Sequence, residues 1–307
     1  MNKLNKPRFS ERTKDFIFLI LIISPALAML IFTIGIPMVK SLYMSFFNVT
    51  LLSMHDYQWN SLTNYKNIFV DGEFIQALKI TLIYVLSIVF IQFILGMMLA
   101  LVLNSQIRFK KTLRTLILIP WVVPTIIGAL LWMWLFQPQY GVINHILMSL
   151  NITDHSYTWL SDMNLALPAV MLAALWKQLP FMSTMLLAGM QGISEDMYEA
   201  AKIDGANRRQ QFLHITLPML KNTIKTVTLI ACIENFKMFP LFWIMTGGGP
   251  LDQTTTLAIF SYKAAFIELD LGKGAAIGAL WLIIMLAFSW TYTKLFSIGE
   301  DKEAATS

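Results

Sequence analysis

Apolar runs long enough to cross a membrane alternate along this chain with short polar stretches. Positions 16–39, 80–103 and 115–136 contain no charged residue, and a shorter uncharged run covers 275–293. Two further runs, 165–190 and 226–245, keep the length despite internal charges. Because a helix needs about 20 apolar residues to cross roughly 30 Å of hydrocarbon, the pattern predicts six transmembrane helices and an all-α polytopic membrane protein. The strand-length alternation that builds an outer-membrane barrel is missing. Pro25 and Pro37 should kink or end the first span, since proline removes an amide donor. The outer loop at about 41–74 holds Tyr57, Trp59 and Tyr65, read as interface anchors before partner contacts.

Composition agrees with this reading. Of 307 residues, 56% are hydrophobic and 13% charged, with mean hydropathy +0.61, whereas soluble domains carry about a quarter charged residues. The basic residues then orient the spans. Lys3, Lys6, Arg8, Arg12 and Lys14 precede the first span, and Arg108, Lys110, Lys111 and Arg114 join the second to the third. Lys202, Arg208, Arg209, Lys221 and Lys225 join the fourth to the fifth, while no Lys or Arg occurs from 137 to 164. Both termini and the 194–218 loop are therefore expected in the cytoplasm. The net charge of +5 is topological and gives no argument for nucleic acid, being split among separate loops. The single cysteine, Cys232, lies in a span, which excludes an internal disulfide or a CxxC metal site. His55, His145, His155 and His214 lack metal-ligand spacing. The first apolar run is too long for a signal-peptide core and reads as an uncleaved anchor.

The stretch at 194–218 breaks the apolar pattern. Ser194 can cap a helix whose first residues, Glu195 and Asp196, suit the positive end of the dipole. Gly205 supplies a break, and a second short helix is expected from about Arg208 to Leu217, stopped by Pro218. Small residues at Ala200, Ala201, Gly205 and Ala206 would let another protein approach the backbone closely.

Within this stretch Glu199-Ala200-Ala201, Gly205 and Ile215-x-Leu217-Pro218 resemble the EAA–G–I-x-LP motif of binding-protein-dependent ABC importer permeases. Thr246-Gly247-Gly248-Gly249-Pro250, with Thr254, Tyr262 and Phe266, is similar to the signature of the maltose-type first permease. The runs at 137–144, 159–162 and 176–181 look like the sugar-importer branch of the same family. The resemblance implies a type I ABC importer permease fold in a prokaryotic inner membrane. It also implies that Glu199, Ala200, Ala201, Asp204, Gly205, Ile215, Leu217 and Pro218 form cytoplasmic coupling helices that dock on an ATPase. The implied partners are two ATPase copies, a second permease (a heterodimer), an extracytoplasmic solute-binding protein and membrane lipid. No phosphate-binding GxxxxGK[ST] pattern occurs, so the chain itself is expected to bind neither nucleotide nor any other cofactor. The glycines at 247–249 read as a tight turn at the membrane surface, and Gly274 and Gly278 as a close-packing helix face.

Three charges lie within spans: Lys177, Glu234 and Lys237. Each costs on the order of 2.5–3.5 kcal/mol at a helix centre, so each should face protein or water. Glu234 and Lys237 are three apart and share a helical face. One reading is a charge network that fixes helix register. The other is a polar cavity for a hydroxyl-rich solute, lined by Lys177, Gln178, Glu234 and Lys237, with Trp176 and Trp243 stacking on sugar rings.

Together these features describe a non-enzymatic permease subunit of an ATP-driven importer, carrying half of a path for a sugar or sugar derivative. The expected organisation is a cytoplasmic segment at 1–15, a permease domain at 16–297 and a tail at 298–307. The alternative is an ion-coupled secondary carrier, with Lys177 and Glu234 as relay groups. A membrane enzyme would need a convergent nucleophile, base or metal cluster, which the sequence does not offer.

Overall fold

A computed structural model describes residues 11–53, 57–105 and 108–304. Lys3, Lys6, Arg8 and His55, together with the chain's last three residues, lie outside them. The first apolar run folds as α1 (Glu11–Leu30), a π-turn at Ile31–Gly35 and α2 (Ile36–Met44). Neither Pro25 nor Pro37 ends this helix. The π-turn immediately precedes Pro37, with the Ile36 amide donating to the Ile31 carbonyl five residues back, the local readjustment that lets a helix continue past proline.

The expected outer loop has structure of its own. Phe47–Asn48 (β1) pairs antiparallel with Gln58–Trp59 (β2), and α3 (Thr63–Val70) folds beneath them. Asn64 ties these pieces together by donating to the Ser45 and Phe47 carbonyls, each at 3.0 Å. Tyr65 is half-buried, its hydroxyl 2.7 Å from that of buried Ser45. Trp59 stacks on Phe46 while remaining 67% exposed.

The second span is the uninterrupted α4 (Glu73–Asn104). The third is not one helix. α5 (Lys110–Val122) and α6 (Thr125–Leu135) meet at 94°, with Val123 and Pro124 extended between them. Pro124 explains the break, because it biases its predecessor towards extended backbone and offers no amide of its own. After α6 comes α7 (Val142–Ser149), fixed by Asn144. Its amide nitrogen donates to Ser156 Oγ and the Tyr157 carbonyl, while its oxygen accepts from the Tyr157 amide and Trp159 Nε1. That satisfied knot gives a structural reason for the polar residues at 137–144 and 159–162.

The fourth span is α8 (Ala166–Gln191). It lies close against α4: a Cβ on Gly96 would sit 2.5 Å from Met182 Cγ, the close approach that small residues permit between membrane helices. Tyr84, Ile88, Met97 and Ala100 of α4 and Ala169, Ala173, Leu186 and Met190 of α8 form the buried centre. Next come α9 (Glu195–Ile203), α10 (Arg208–Gln211), a π-turn at Phe212–Thr216 and α11 (Leu217–Met219). The run expected as a span at 226–245 is divided into α12 (Lys221–Phe236) and α13 (Pro240–Met245). Pro240, in the first turn of α13, marks the interruption.

The glycine-rich loop makes the predicted tight turn. Gly247 and Gly248 have φ of +60° and +95°, and a Cβ on Gly248 would lie 2.4 Å from Thr255 Oγ1. Thr246 and Thr254 hydroxyls meet at 2.7 Å, and Thr254 donates to the Gly249 carbonyl. The loop leads into α14 (Leu257–Tyr262), a π-turn at Lys263–Ile267 and α15 (Leu271–Ala304), which runs well beyond the expected end at 293. Gly274 packs tightly, since a Cβ there would come within 2.6 Å of Ala265 Cβ. Among the described residues, α1–α2, α4, α8 and α15 are long and apolar enough to span a membrane, and the bent α5–α6 pair makes a fifth.

Candidate functional site

The helix pair at 194–218 is built by local chemistry. Ser194 Oγ accepts from the Asp196 amide, and Glu195 and Asp196 occupy the first turn of α9, as the sequence predicts. The helix ends in a Schellman motif: Ala206 N–H donates to the Ala201 carbonyl and Gly205 N–H to that of Lys202. Gly205 takes φ +79°, a left-handed conformation suited to glycine. The next helix starts at Arg208 as expected, and the sequence reading missed only its cap, where Asn207 and Gln210 exchange side-chain to backbone hydrogen bonds. Its signal is an Asn followed three residues later by Gln. Pro218 does not stop the second helix; it lies within α11, whose early turn tolerates a missing amide.

Tyr198 and Thr216 hydroxyls, 2.9 Å apart, lock the two arms together. Glu199, Ala200, Asp204, Gly205 and Pro218 lie on the surface, whereas Ala201, Ile215 and Leu217 are half-buried. A shallow cleft of about 230 Å³ opens between the arms, bounded by Ala201, Ala206, Gln211 and Ile215. Ile203, at 87% exposure, stands out from α9 without cover.

A second feature lies where α8, α12 and the α5–α6 break converge. A cavity of about 390 Å³ is lined by Gln92, Trp121, Lys177, Gln178, Phe181 and Glu234, among others. The structure therefore brings Lys177, Gln178 and Glu234 together. Glu234 pairs with Lys237 at 2.8 Å, both side chains half exposed, as their spacing requires. Trp176 and Trp243 do not line the cavity. Trp176 meets Trp132 edge-on at 6.1 Å and covers Gly128, while Trp243 packs on Phe239 and Tyr262. The cavity's aromatic wall is instead Trp121 stacked on Phe181, with centroids 6.0 Å apart. Trp121 lies in α5 just before the bend, where α5 packs on α8.

Lys177 has a backbone role that spacing could not reveal. Its ammonium donates to the Val123 carbonyl and lies 3.5 Å from that of Trp121. These are carbonyls at the broken end of α5, where a cation also complements the helix dipole. Behind the cavity runs an uncharged network. Gln178 and Asn235 exchange amide hydrogen bonds at 2.8 and 3.2 Å, Gln92 donates to Gln178 at 3.0 Å, and Tyr84 donates to Asn235 at 2.7 Å. Tyr84, Gln92 and Asn235 are buried. The arrangement offers hydrogen-bond donors, acceptors and flat apolar rings, a combination suited to holding a hydroxyl-rich molecule.

The chain matches the family described as binding-protein-dependent transport system inner membrane component over residues 92–296. It belongs to that family. This makes it a multi-pass inner-membrane permease subunit rather than an enzyme. Among its relatives is the trehalose/maltose transport system permease protein of Thermococcus litoralis, 34% identical over 282 residues, covering 92% of this chain and 94% of the relative. The sulfoquinovosyl glycerol transport system permease protein of Agrobacterium fabrum is 33% identical over 92% of this chain and 90% of its own. A crystal structure of a bacterial ABC transporter involved in alginate import contains a chain of the same fold. The TM-score is 0.81 at 21% identity, covering 93% of this permease and 96% of that chain.

Proposed function

We propose that this permease forms half of the translocation path of an ATP-driven importer for a sugar or sugar derivative, with the 194–218 pair as its ATPase-docking element. The observation that carries the proposal is a mechanical continuity. α8 and α12 supply Lys177, Gln178 and Glu234 to the cavity, and the same two helices run directly into the exposed pair. A load applied to Glu199 and Gly205 reaches the cavity walls through rigid helices, as alternating access requires. The substrate class is supported by relatives named for trehalose/maltose and sulfoquinovosyl glycerol transport, and by a cavity rich in amide and aromatic groups.

Both termini and the 194–218 loop face the cytoplasm in this reading, and the glycine-rich loop faces outward, towards a solute-binding protein. The partners are two ATPase copies and a different second permease. The ion-coupled alternative draws no support from the cavity, where Lys177 is engaged by backbone carbonyls and Glu234 by Lys237. Affinity purification of the tagged chain from native membranes tests the docking assignment. An ATPase subunit should accompany wild-type chain and be depleted from Glu199→Lys preparations at equal permease level. Equal recovery from both would remove the 194–218 pair from the docking surface.

A further inference from the structure

The structure assigns a second polar feature that the transport reading leaves unused. At the end of the bundle nearest α9, the last turn of α4, the first turns of α5 and the last turns of α8 enclose a cleft of about 180 Å³. Its walls include Leu103, Ile117, Leu118 and Leu187, with Arg114, Thr184 and Gln191 as polar members. No Asp or Glu lines it among the described residues. Arg114 is one of four basic residues within seven positions, with Arg108, Lys110 and Lys111. Lys110 is engaged with the Asn104 carbonyl at 3.2 Å, and one Arg114 nitrogen reaches the Leu103 carbonyl at 3.5 Å. Arg114 Nε, however, is buried without a hydrogen-bond partner among the described residues.

Arg114 as a whole is half-buried and lines the cleft, and a cation held beside apolar walls is best partnered by an oxyanion in charge-assisted hydrogen bonds. We propose that this cleft binds the phosphate of an anionic phospholipid, with Arg114 as the principal donor and one acyl chain lying along Ile117, Leu118 and Leu187. Three features favour a lipid over a soluble anion. The apolar walls would be left uncovered by a free phosphate. Arg114 sits only about 6 Å along α5 from its first residue, the depth of a headgroup. Exposed Phe109 and Leu116 continue the apolar surface away from the cleft. The site depends on the chain crossing a membrane, not on what it carries.

Native mass spectrometry of the delipidated full chain, purified with whatever subunits accompany it, tests this. It is titrated with phosphatidylglycerol or with phosphatidylcholine of identical acyl chains. Wild type should retain phosphatidylglycerol about fivefold better, the discrimination expected from one well-placed basic residue. Arg114→Gln should abolish the preference, Arg114→Lys should keep part of it, and Arg208→Gln, outside the cleft, should leave it intact. Equal retention of the two lipids by wild type would overturn the site without recourse to any variant. An unchanged preference in Arg114→Gln, or equal loss in Arg208→Gln, would also overturn it, reducing the effect to general surface charge.

Discussion

Replacing Lys177 with methionine removes the cation that caps the broken end of α5 while keeping most of the side-chain volume. The ammonium donates to the Val123 carbonyl and approaches that of Trp121 only at 3.5 Å, so the loss counts as one strong bond. A hydrogen bond involving a charged group contributes about 1.5–3 kcal/mol. Cavity water can reach the freed carbonyls, which lowers the expected cost to about 1–2 kcal/mol, roughly five- to thirtyfold in the equilibrium holding the α5–α6 bend. Lys177→Met should therefore lower the melting temperature of the assembled transporter by a few degrees and reduce maximal uptake. The apparent KM for solute should change by less than about threefold, because the ammonium serves backbone before solute. Lys177→Arg, which also places a donor on the carbonyls, should recover much of the uptake. An unchanged melting temperature with a tenfold higher KM would refute this reasoning and make Lys177 a solute contact.

Asn235→Ala should be worse tolerated than Lys177→Met. It strips partners from buried Tyr84 and Gln178 at once, at a cost of about 2–4 kcal/mol, and should show as a drop in purified yield; wild-type yield would exclude the network as structural. A Cβ at Gly205 would meet no atom within 4 Å, so Gly205→Val mainly strains a φ of +79°, costing about 1–2 kcal/mol locally. Assembly should persist while ATP-driven uptake falls, with Gly205→Asn milder because asparagine accepts that conformation. Lys263, bonded at 2.7 Å, holds the Asp252 carboxyl below its ordinary value of 3.8. A depressed folded pKa adds stability that is complete above that value and fades as pH falls through the lowered one. Melting from pH 6 to pH 3 should therefore lose a contribution in wild type that Asp252→Asn lacks throughout.

Much of this architecture is readable because hydrocarbon leaves few alternatives. Uncharged runs of span length, the cap at Ser194 and the left-handed Gly205 all behave as their residue types require. The breaks were harder to place. Pro25, Pro37 and Pro218 sit inside continuous or early-turn helix, whereas Pro124 and Pro240 interrupt their runs, and local sequence does not decide which prolines find compensation in neighbouring helices. The cavity was half legible for a related reason. A charge in a span announces itself, so Lys177 and Glu234 stood out. Gln92 and Asn235 are ordinary polar residues until packing brings their amides within 3.2 Å of Gln178. Trp176 adjoins Lys177 in sequence, yet one helical step turns it towards Trp132 and away from the cavity.

The central claim is that this permease moves a sugar-type solute by coupling to ATP hydrolysis rather than to an ion gradient. The most direct measurement is uptake into liposomes containing the chain with its second permease and ATPase subunits, with binding protein outside. Labelled oligosaccharide should accumulate only when ATP is enclosed and binding protein is present, and liposomes holding this chain alone should take up nothing. Uptake by the chain alone, driven by a proton or sodium gradient and indifferent to ATP, would contradict the account.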